Sequence, residues 1–535
     1  MIQRFALDNL LDENTALDYN LETSNRFEKL TEEWIINDAY PDEIWNEMKN
    51  VYLETAESII GKKKTKKSKP YISEEVIKMA EEKSLARKNG KREEYVKLKR
   101  NIKAMVRRDR NLWLEEECAK INECNERFKS KELFDKIKKV KKQNFKAKGI
   151  VIKDKSGKVL TKENEILNRW KEYGSTLFES SGEKLNFSIE QYEKEPEPLL
   201  DEVWAAFKQL KQGKSPGLDN IPAELIRHSG YGGRKAMHHL CCKIWHTTIW
   251  PKDWKMQEFV VLYKSGDIKE CNNYRTIALL SHASKILLII ILNRMKSKVE
   301  QELSDCQAGY RKNRGTTDML FVLQNIIEKV NNTDLETFIT FIDYSKAFDS
   351  VIHNTLFETM CVLGFPKHLV LLISTLYTNQ QATIRWDGQN TEFFNIEKGV
   401  RQGCILSPHL FSLYTEQVMR DADIEGLGLT IGGRNITDLR YADDTALVSD
   451  NPTSMRRIVH KVDMAGRKAG LKLNAKKTKV MHIKRNNREN HTFKVDNLPL
   501  ENVEHFKYLG SIKSHNSSCS KDISARIGMT KNRML

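Results

Sequence analysis

The chain has 535 residues, 30% of them charged and 39% apolar, and a formal net charge of +16. That length accommodates two to four domains and at least one full hydrophobic core, and the apolar content excludes a disordered chain. The positive excess points to a polyanionic partner, and it has a centre: residues 1–60 carry net −10, residues 61–150 carry 30 Lys+Arg against 14 Asp+Glu, and the remainder carries net +10.

Nine cysteines are scattered without a CxxC pair or a cysteine–histidine zinc spacing, so they read as reduced, mostly buried thiols. The amino-terminal stretch has acidic residues where a signal peptide would be apolar. The longest apolar run, Ile286 to Leu292, is too short to span a bilayer. An intracellular, soluble protein with no membrane partner is expected.

In chain order, residues 1–60 predict two helices in an acidic background, one beginning near Arg26, Phe27 and Leu30 and one over Ile44 to Ile59. The run Lys62 to Pro70 reads either as a nuclear-localisation or nucleic-acid contact or as a solvated linker. From Lys91 to Lys148 there is no glycine or proline, and Tyr95, Leu98, Ile102, Met105 and Leu112 recur at helical spacing. This predicts one long amphipathic helix, or two in succession, with a basic outer face suited to a phosphate backbone or, alternatively, serving only as a bridge. Residues 149–160 predict a hairpin turning at Lys155 to Gly157, followed by helical sequence through Phe178. The prolines and charges of residues 180–200 mark a linker. Beyond Val203 the composition is mixed α/β, with helices over Ile286 to Glu300 and Leu320 to Val330.

The chemistry lies in this last part. Phe338 to Ile342 reads as a buried strand ending at Asp343, and Leu439-Arg440-Tyr441-Ala442-Asp443-Asp444 reads as a hairpin tip with paired carboxylates. About a hundred positions apart, these segments can meet only in a folded domain, as a carboxylate cluster of the kind used in two-metal phosphoryl transfer. The tip alone is a weak signal, because paired aspartates more often make turns. Gly399-Val400-Arg401-Gln402-Gly403-Cys404-Ile405-Leu406-Ser407-Pro408 lies between the two carboxylate segments, Gly470 to Thr478 follows them, and Phe506-Lys507-Tyr508-Leu509-Gly510 comes later.

With these motifs in this order the chain resembles the reverse transcriptases of non-LTR, LINE-type retrotransposons, of the endonuclease–reverse transcriptase polyprotein kind, from about Asp201 to Arg526. The resemblance implies an α/β fold with an α+β palm: right-hand polymerase fingers and palm preceded by a mainly helical basic region. The expected divisions are an acidic helical segment over 1–60 that would follow an endonuclease, a basic helical linker over 61–148, and a hairpin, helix and linker over 149–200. Fingers and palm would occupy 201–500, and the primer grip with a truncated start of the thumb 501–535. It implies RNA-directed DNA polymerisation on an RNA template, from a DNA primer or target, with dNTPs and two Mg2+ ions. Nucleus and cytoplasm are the compartments expected of such a ribonucleoprotein.

Residue by residue, the resemblance gives Asp343, Asp443 and Asp444 as catalytic carboxylates and metal ligands, with Asp444 dependent on the hairpin bend. It gives Phe348 as an aromatic gate against a 2′-hydroxyl, Gln402 and Gly403 as lining of the nucleotide pocket, and Pro408 as the start of the next helix. Lys264 and Arg275 would clamp the triphosphate, and Lys477 would protonate pyrophosphate. Gly213 to Asp219 and Gln307 to Arg311 resemble finger motifs that hold the template, with Tyr310 stacking on a base and Arg311 meeting a phosphate, or both serving structural roles. Tyr508-Leu509-Gly510 resembles the primer grip. Asp349 reads as a helix cap. Thr276 stands where the family usually has proline, which is expected to leave Arg275 less firmly placed. The family's endonuclease and most of its thumb are expected to be missing, so the chain reads as a fragment of a longer element. The alternatives are a truncated, inactive element product that only binds nucleic acid, and an RNA-dependent RNA polymerase, which would more typically show Gly-Asp-Asp at the tip.

Overall fold

A computed structural model describes residues 5–63, 71–88, 91–127, 132–133, 136–137, 151–180, 185–333, 335–484 and 491–534, and its contacts divide the chain into two units, residues 7–60 with 151–535 and residues 1–6 with 61–150. Residues 64–70 of the basic run and most of the sequence from 128 to 150 lie outside the described residues. Among the described residues no helix is long and apolar enough to cross a membrane.

In the larger unit, α1 (Glu13–Ile36) starts well before Arg26, because Asp12 caps it by accepting from Thr15 N at 2.9 Å. It is followed by α2 (Pro41–Thr55). The apolar side chains that α1 and α2 bury, among them Tyr19, Phe27, Trp45 and Tyr52, are fully enclosed. Their burial contributes roughly 1.5–3 kcal/mol each. In the smaller unit, α3 (Glu74–Lys88) packs on α4 (Arg92–Glu126), an uninterrupted helix of 35 residues. Tyr71 meets the Trp113 ring, and Asp109 accepts from Ser73 N at 3.2 Å. The stripe expected on α4 is half-buried, with Leu112 exposed, while Lys97, Lys99, Arg100, Lys103, Arg107 and Arg108 face solvent.

The larger unit continues with the expected hairpin, in which Ile152–Lys153 pairs with Val159–Leu160, and then α5 (Glu163–Phe178), α6 (Gly230–Thr247), α7 (Ser284–Glu302) and α8 (Thr316–Thr333). Further on come α9 (Ser407–Ala422), with Pro408 in its first turn, and α10 (Pro452–Lys468). Its main strands are β1 (Met256–Tyr263), β2 (Tyr274–Leu279), β3 (Thr337–Ile342), β4 (Gln380–Trp386), β5 (Phe394–Ile396), β6 (Asp438–Tyr441), β7 (Asp444–Ser449), β8 (Lys479–Ile483), β9 (His505–Tyr508) and β10 (Ser511–Ser514).

Two sheets organise this unit. The first runs β2-β1-β4, with β5 also on β4, and β1 is antiparallel to β2 but parallel to β4. Phe178 of α5 stacks on its Phe259 and Phe394. The second is antiparallel through β6-β7-β3-β8 and ends on Glu501–Asn502. All six residues of β3 are buried because the sheet is covered on both faces, which is why the strand has no polar alternation and only Thr337 and Thr340 among its aromatic and aliphatic residues. On one face α8 supplies Leu323, Ile326 and Ile327 against Phe341, Ala446 and Met481, and on the other α10 buries Met455, Ile458 and Val462.

Candidate active site

The second sheet sets the geometry. β3 delivers Asp343 at its end, and β7 pairs with β3 in a register that matches Thr445 with Ile342. One step further, that register sets Asp444 across from Asp343. β6 and β7 are joined by the two residues Ala442 and Asp443 alone, so Asp443 stands at the tip, as read from the sequence. Ala442 holds φ +59°, a left-handed conformation that costs a residue with a Cβ roughly 1–2 kcal/mol.

The loop before β8 closes on Asp343 from the side. Asn474 N donates to the Asp343 carbonyl at 2.8 Å, Asp343 N to Thr478 Oγ1 at 3.3 Å, and Ser345 N to the Lys472 carbonyl at 2.9 Å. This brings Lys477 Nζ to 3.6 Å from Asp343 Oδ2. That oxygen is otherwise buried and without a hydrogen-bond partner.

A single cleft of about 590 Å³ gathers Lys264, Arg275, Asp343, Phe348, Gln402, Gly403, Asp443 and Lys477. Asp444 is not among its lining residues. Asp443 and Asp444 both reach solvent, yet enough protein surrounds them that burial pushes both carboxyls up. The neighbouring Asp343 charge adds to each shift, and Asp443 also acts on Asp444, which is raised to about 6. Lys264 and Arg275 offset part of the rise at Asp443. The three aspartates therefore share one field. Among the described residues, however, no three His, Cys, Asp or Glu side chains are arranged to hold a metal by themselves. The residues that could hold a divalent cation are Asp343, whose Oδ2 has no hydrogen-bond partner, and Asp443, a carboxylate set that substrate phosphates and water would have to complete.

The finger hairpin, β1 and β2 with the loop between them, contributes Lys264 and Arg275 to the cleft. Leu262 pairs with Arg275 and Val261 with Thr276, so the ladder fixes the backbone at Arg275 in place of the proline ring the family uses. Gly403 has φ +117°, and a Cβ there would stand 2.7 Å from the Ala278 carbonyl oxygen, so only glycine lets this loop lie against β2. Phe348 stacks face to face on the buried Phe411 of α9, at 4.3 Å and 14° between planes.

Asp349 is not a helix cap. It is buried in the short 3-10 segment Ala347–Ser350, and the helix that follows, His353–Val362, is preceded by Ile352. Its Oδ1 accepts from Gln402 Nε2 at 2.9 Å, and burial pushes its carboxyl up to about 6 against the pull of Lys346, Gln402 and Arg275. Lys346 donates to Tyr173 Oη at 2.8 Å and Asn272 Oδ1 at 3.0 Å, tying α5 and the finger hairpin to the cleft. The sequence carried no signal for Tyr173, which sits in an ordinary amphipathic helix.

Of the template-like segments, Tyr310 is exposed in the cleft, and the protein around its hydroxyl, followed by the Asp443 charge, raises its pKa. Arg311 is committed elsewhere: it pairs with Glu300 at 2.6 Å and donates to the Ser304 and Gln307 carbonyls. Gly213 to Asp219 is absent from the cleft lining. Tyr508 is buried, and its hydroxyl donates to the Leu439 and Asp444 carbonyls at 3.1 and 3.3 Å, anchoring the β9–β10 hairpin behind the carboxylates.

A family model described as reverse transcriptase (RNA-dependent DNA polymerase) matches residues 263–512, a span holding every residue of the cleft except Tyr173 and Leu177. Those residues are a reverse transcriptase domain. Around this domain the chain is similar to the Pol polyprotein of the type-1 retrotransposable element R2 of Popillia japonica, at 28% identity over 58% of this chain and 44% of that protein. It is also similar to the RNA-directed DNA polymerase from the mobile element jockey of Drosophila melanogaster, at 25% identity over 51% of this chain and 31% of that protein. The chain spans less than half the length of these curated relatives. Among solved structures, apo telomerase from Candida tropicalis truncated from its C-terminal domain aligns with TM-score 0.37 and 12% identity, over 56% of this chain and 67% of that one. Reverse transcriptases as a family use divalent metal ions.

Proposed function

We propose that this chain is an RNA-directed DNA polymerase of a non-LTR retrotransposon, adding deoxynucleotides to a primer 3′-hydroxyl on an RNA template. The observation that carries the reading is the meeting of Asp343 and Asp443 in one cleft that also presents Lys264 and Arg275. Carboxylates together with guanidinium and ammonium groups are complementary to a metal–triphosphate.

Asp343 and Asp443 would hold two Mg2+ ions, with Asp444 contributing charge from the neighbouring strand. Magnesium bound there would acidify the primer hydroxyl and neutralise the departing pyrophosphate. Lys264 and Arg275 orient the triphosphate by charge-assisted hydrogen bonds. Lys477, beside Asp343, stands where a proton can be handed to pyrophosphate. Phe348, Gln402 and Gly403 line the same cleft; there Phe348 would lie under the sugar and exclude a 2′-hydroxyl, and the Gln402–Gly403 backbone would wall the base. Tyr310 supplies a face on which a template base stacks.

Extension of a DNA primer annealed to RNA, with dNTPs and Mg2+, tests the reading. The wild-type chain is expected to extend, and Asp443→Ala to lose at least about a thousandfold. Equal extension by Asp443→Ala would overturn the assignment. A wild-type chain that binds RNA but never extends would favour the reading of a nucleic-acid-binding remnant, and comparable use of ribonucleotides would favour an RNA polymerase.

A further inference from the structure

Gln307 is fully buried and reaches the turn that carries Asp443. Its Oε1 accepts from two backbone amides, Ala442 N at 2.9 Å and Gly309 N at 2.8 Å, and its Nε2 faces the Ala442 carbonyl at 3.4 Å. The main chain around it is stitched to β6: Ala308 N donates to the Arg440 carbonyl at 2.9 Å, and Arg440 N to the Cys306 carbonyl at 2.8 Å. Gly309 makes the approach possible, since a Cβ there would stand 2.4 Å from Ala442 N.

This arrangement has a physical reason. Two-residue hairpin turns that need positive φ normally carry glycine, asparagine or aspartate at that position, and here alanine holds it. Alanine has no side chain with which to satisfy or brace the turn. The Ala442 amide is buried against Gln307, so an apolar residue at 307 would strand two donors, and the left-handed conformation would lose its external support.

We propose that Gln307 is a positioning residue of the polymerase site, a clamp on Ala442 that sets where the adjacent Asp443 carboxylate is presented to the divalent cation. The inference rests on the polymerase reading above. It also joins two functions mechanically: Tyr310, the exposed ring of the same segment, is three residues from the clamp, so the template face is coupled to the turn bearing the metal-facing carboxylate through the hydrogen bonds of Gln307.

The test uses the full chain with Gln307→Met, which keeps length and bulk and removes the acceptor. The Ala442 amide, read by hydrogen exchange, is expected to lose its protection. Mn2+ serves as a spectroscopic probe in the presence of dNTP and a dideoxy-terminated primer on RNA, where no turnover occurs. Its half-saturation is expected to rise about 10- to 100-fold, the range usual when a partner orienting a metal ligand is removed. In turnover, kcat falls while KM for dNTP at saturating Mg2+ is held. An unchanged Mn2+ affinity overturns the proposal, whatever happens to stability or rate. If Gln307→Met fails to fold, Gly309→Ala pushes a Cβ between the Gln307 oxygen and the Ala442 amide and displaces the same turn, with the same rise expected and an unchanged affinity equally fatal. Adding Ala442→Gly to Gln307→Met removes the conformational cost and is expected to recover part of the Mn2+ affinity. Wild-type protein that neither binds Mn2+ nor extends a primer would sink the polymerase reading itself, whereas wild-type protein that does both beside an unaltered Gln307→Met sinks only the clamp.

Discussion

Discrimination against ribonucleotides depends on a ring that stays where it is. Phe348 is only half-buried at the floor of the cleft, and the Phe411 ring stacked on it at 4.3 Å resists its swinging aside. Its backbone is held separately, by Val400 N donating to the Phe348 carbonyl at 2.8 Å, so Phe411→Leu removes the stack without releasing the main chain. An aromatic stack contributes about 0.5–1.5 kcal/mol beyond the area it buries. If that energy is what a 2′-hydroxyl must overcome to displace the gate, Phe411→Leu lowers the preference for deoxynucleotides roughly two- to thirteenfold, at about 1.4 kcal/mol per tenfold. Phe348→Val, which deletes the gate, lowers it further. Single-turnover incorporation of matched deoxy- and ribonucleoside triphosphates on a primed RNA gives the ratio of kcat/KM values directly. A ratio within twofold of wild type for Phe411→Leu, beside a collapsed ratio for Phe348→Val, would refute the buttress. An unchanged ratio in both would refute the gate.

Arg440 is buried with its Nε 2.7 Å from Asp438 and its Nη1 3.1 Å from Glu416, both acids buried too, so Arg440→Met strands two carboxylates. A loss of about 3–5 kcal/mol is expected in denaturant unfolding, largely recovered when Asp438 and Glu416 are replaced by leucine in the same chain. His353 is buried against the Gly399 carbonyl, and burial lowers its pKa to about 4. Between pH 6.5 and 4 the unfolded chain therefore binds a proton the folded one refuses. Stability is full above pH 6.5 and falls as pH drops, by about 2 kcal/mol at pH 5, and His353→Gln should flatten the measured loss by that amount. On α4, replacing Lys97, Lys99, Arg100, Lys103 and Arg107 with glutamine should weaken RNA binding alike for all sequences. The slope of log K against log salt should shrink by about 0.7 for each phosphate the helix no longer neutralises, and an unchanged slope would remove this helix from the nucleic-acid interface.

The carboxylate framework was legible because a strand buried on both faces announces itself as a largely apolar run of β-branched and aromatic residues, and Phe338 to Ile342 leads straight to Asp343. The turn at Asp443 was equally plain, lying between two short apolar segments. Helices over Ile286 to Glu300 and Leu320 to Val330 were found within a few residues, since their apolar spacing was regular. The start of α1 was missed although its signal was present: Asp12 three residues before Thr15 is an N-cap, and the reading began instead at the first dense apolar cluster. Asp349 was misread for the opposite reason. An aspartate just before a helix is usually a cap, and nothing local reveals that Gln402, more than fifty residues on, would claim its carboxylate. Arg311 was divided between phosphate contact and structure because Glu300 lies one helix end away in space but eleven positions away in sequence. Gln307 was seen as part of a template motif, and its grip on Ala442 is a contact across 135 positions that only the fold could supply.

The smaller unit interrupts the larger one in sequence, since residues 61–150 fall between 7–60 and 151–535. The buried face of α1 packs on α6, whose first residue is Gly230, about two hundred positions later. At roughly 5–20 residues per second of synthesis, Tyr19, Phe27 and Trp34 leave the ribosome on the order of 10–40 seconds before their partner helix exists. Through that interval α1 can pack on α2, where Phe27 meets Tyr52, but the aromatic surface that later meets α6, Trp34 against His239, stays exposed, so a pause in translation before residue 230 prolongs an aggregation-prone state.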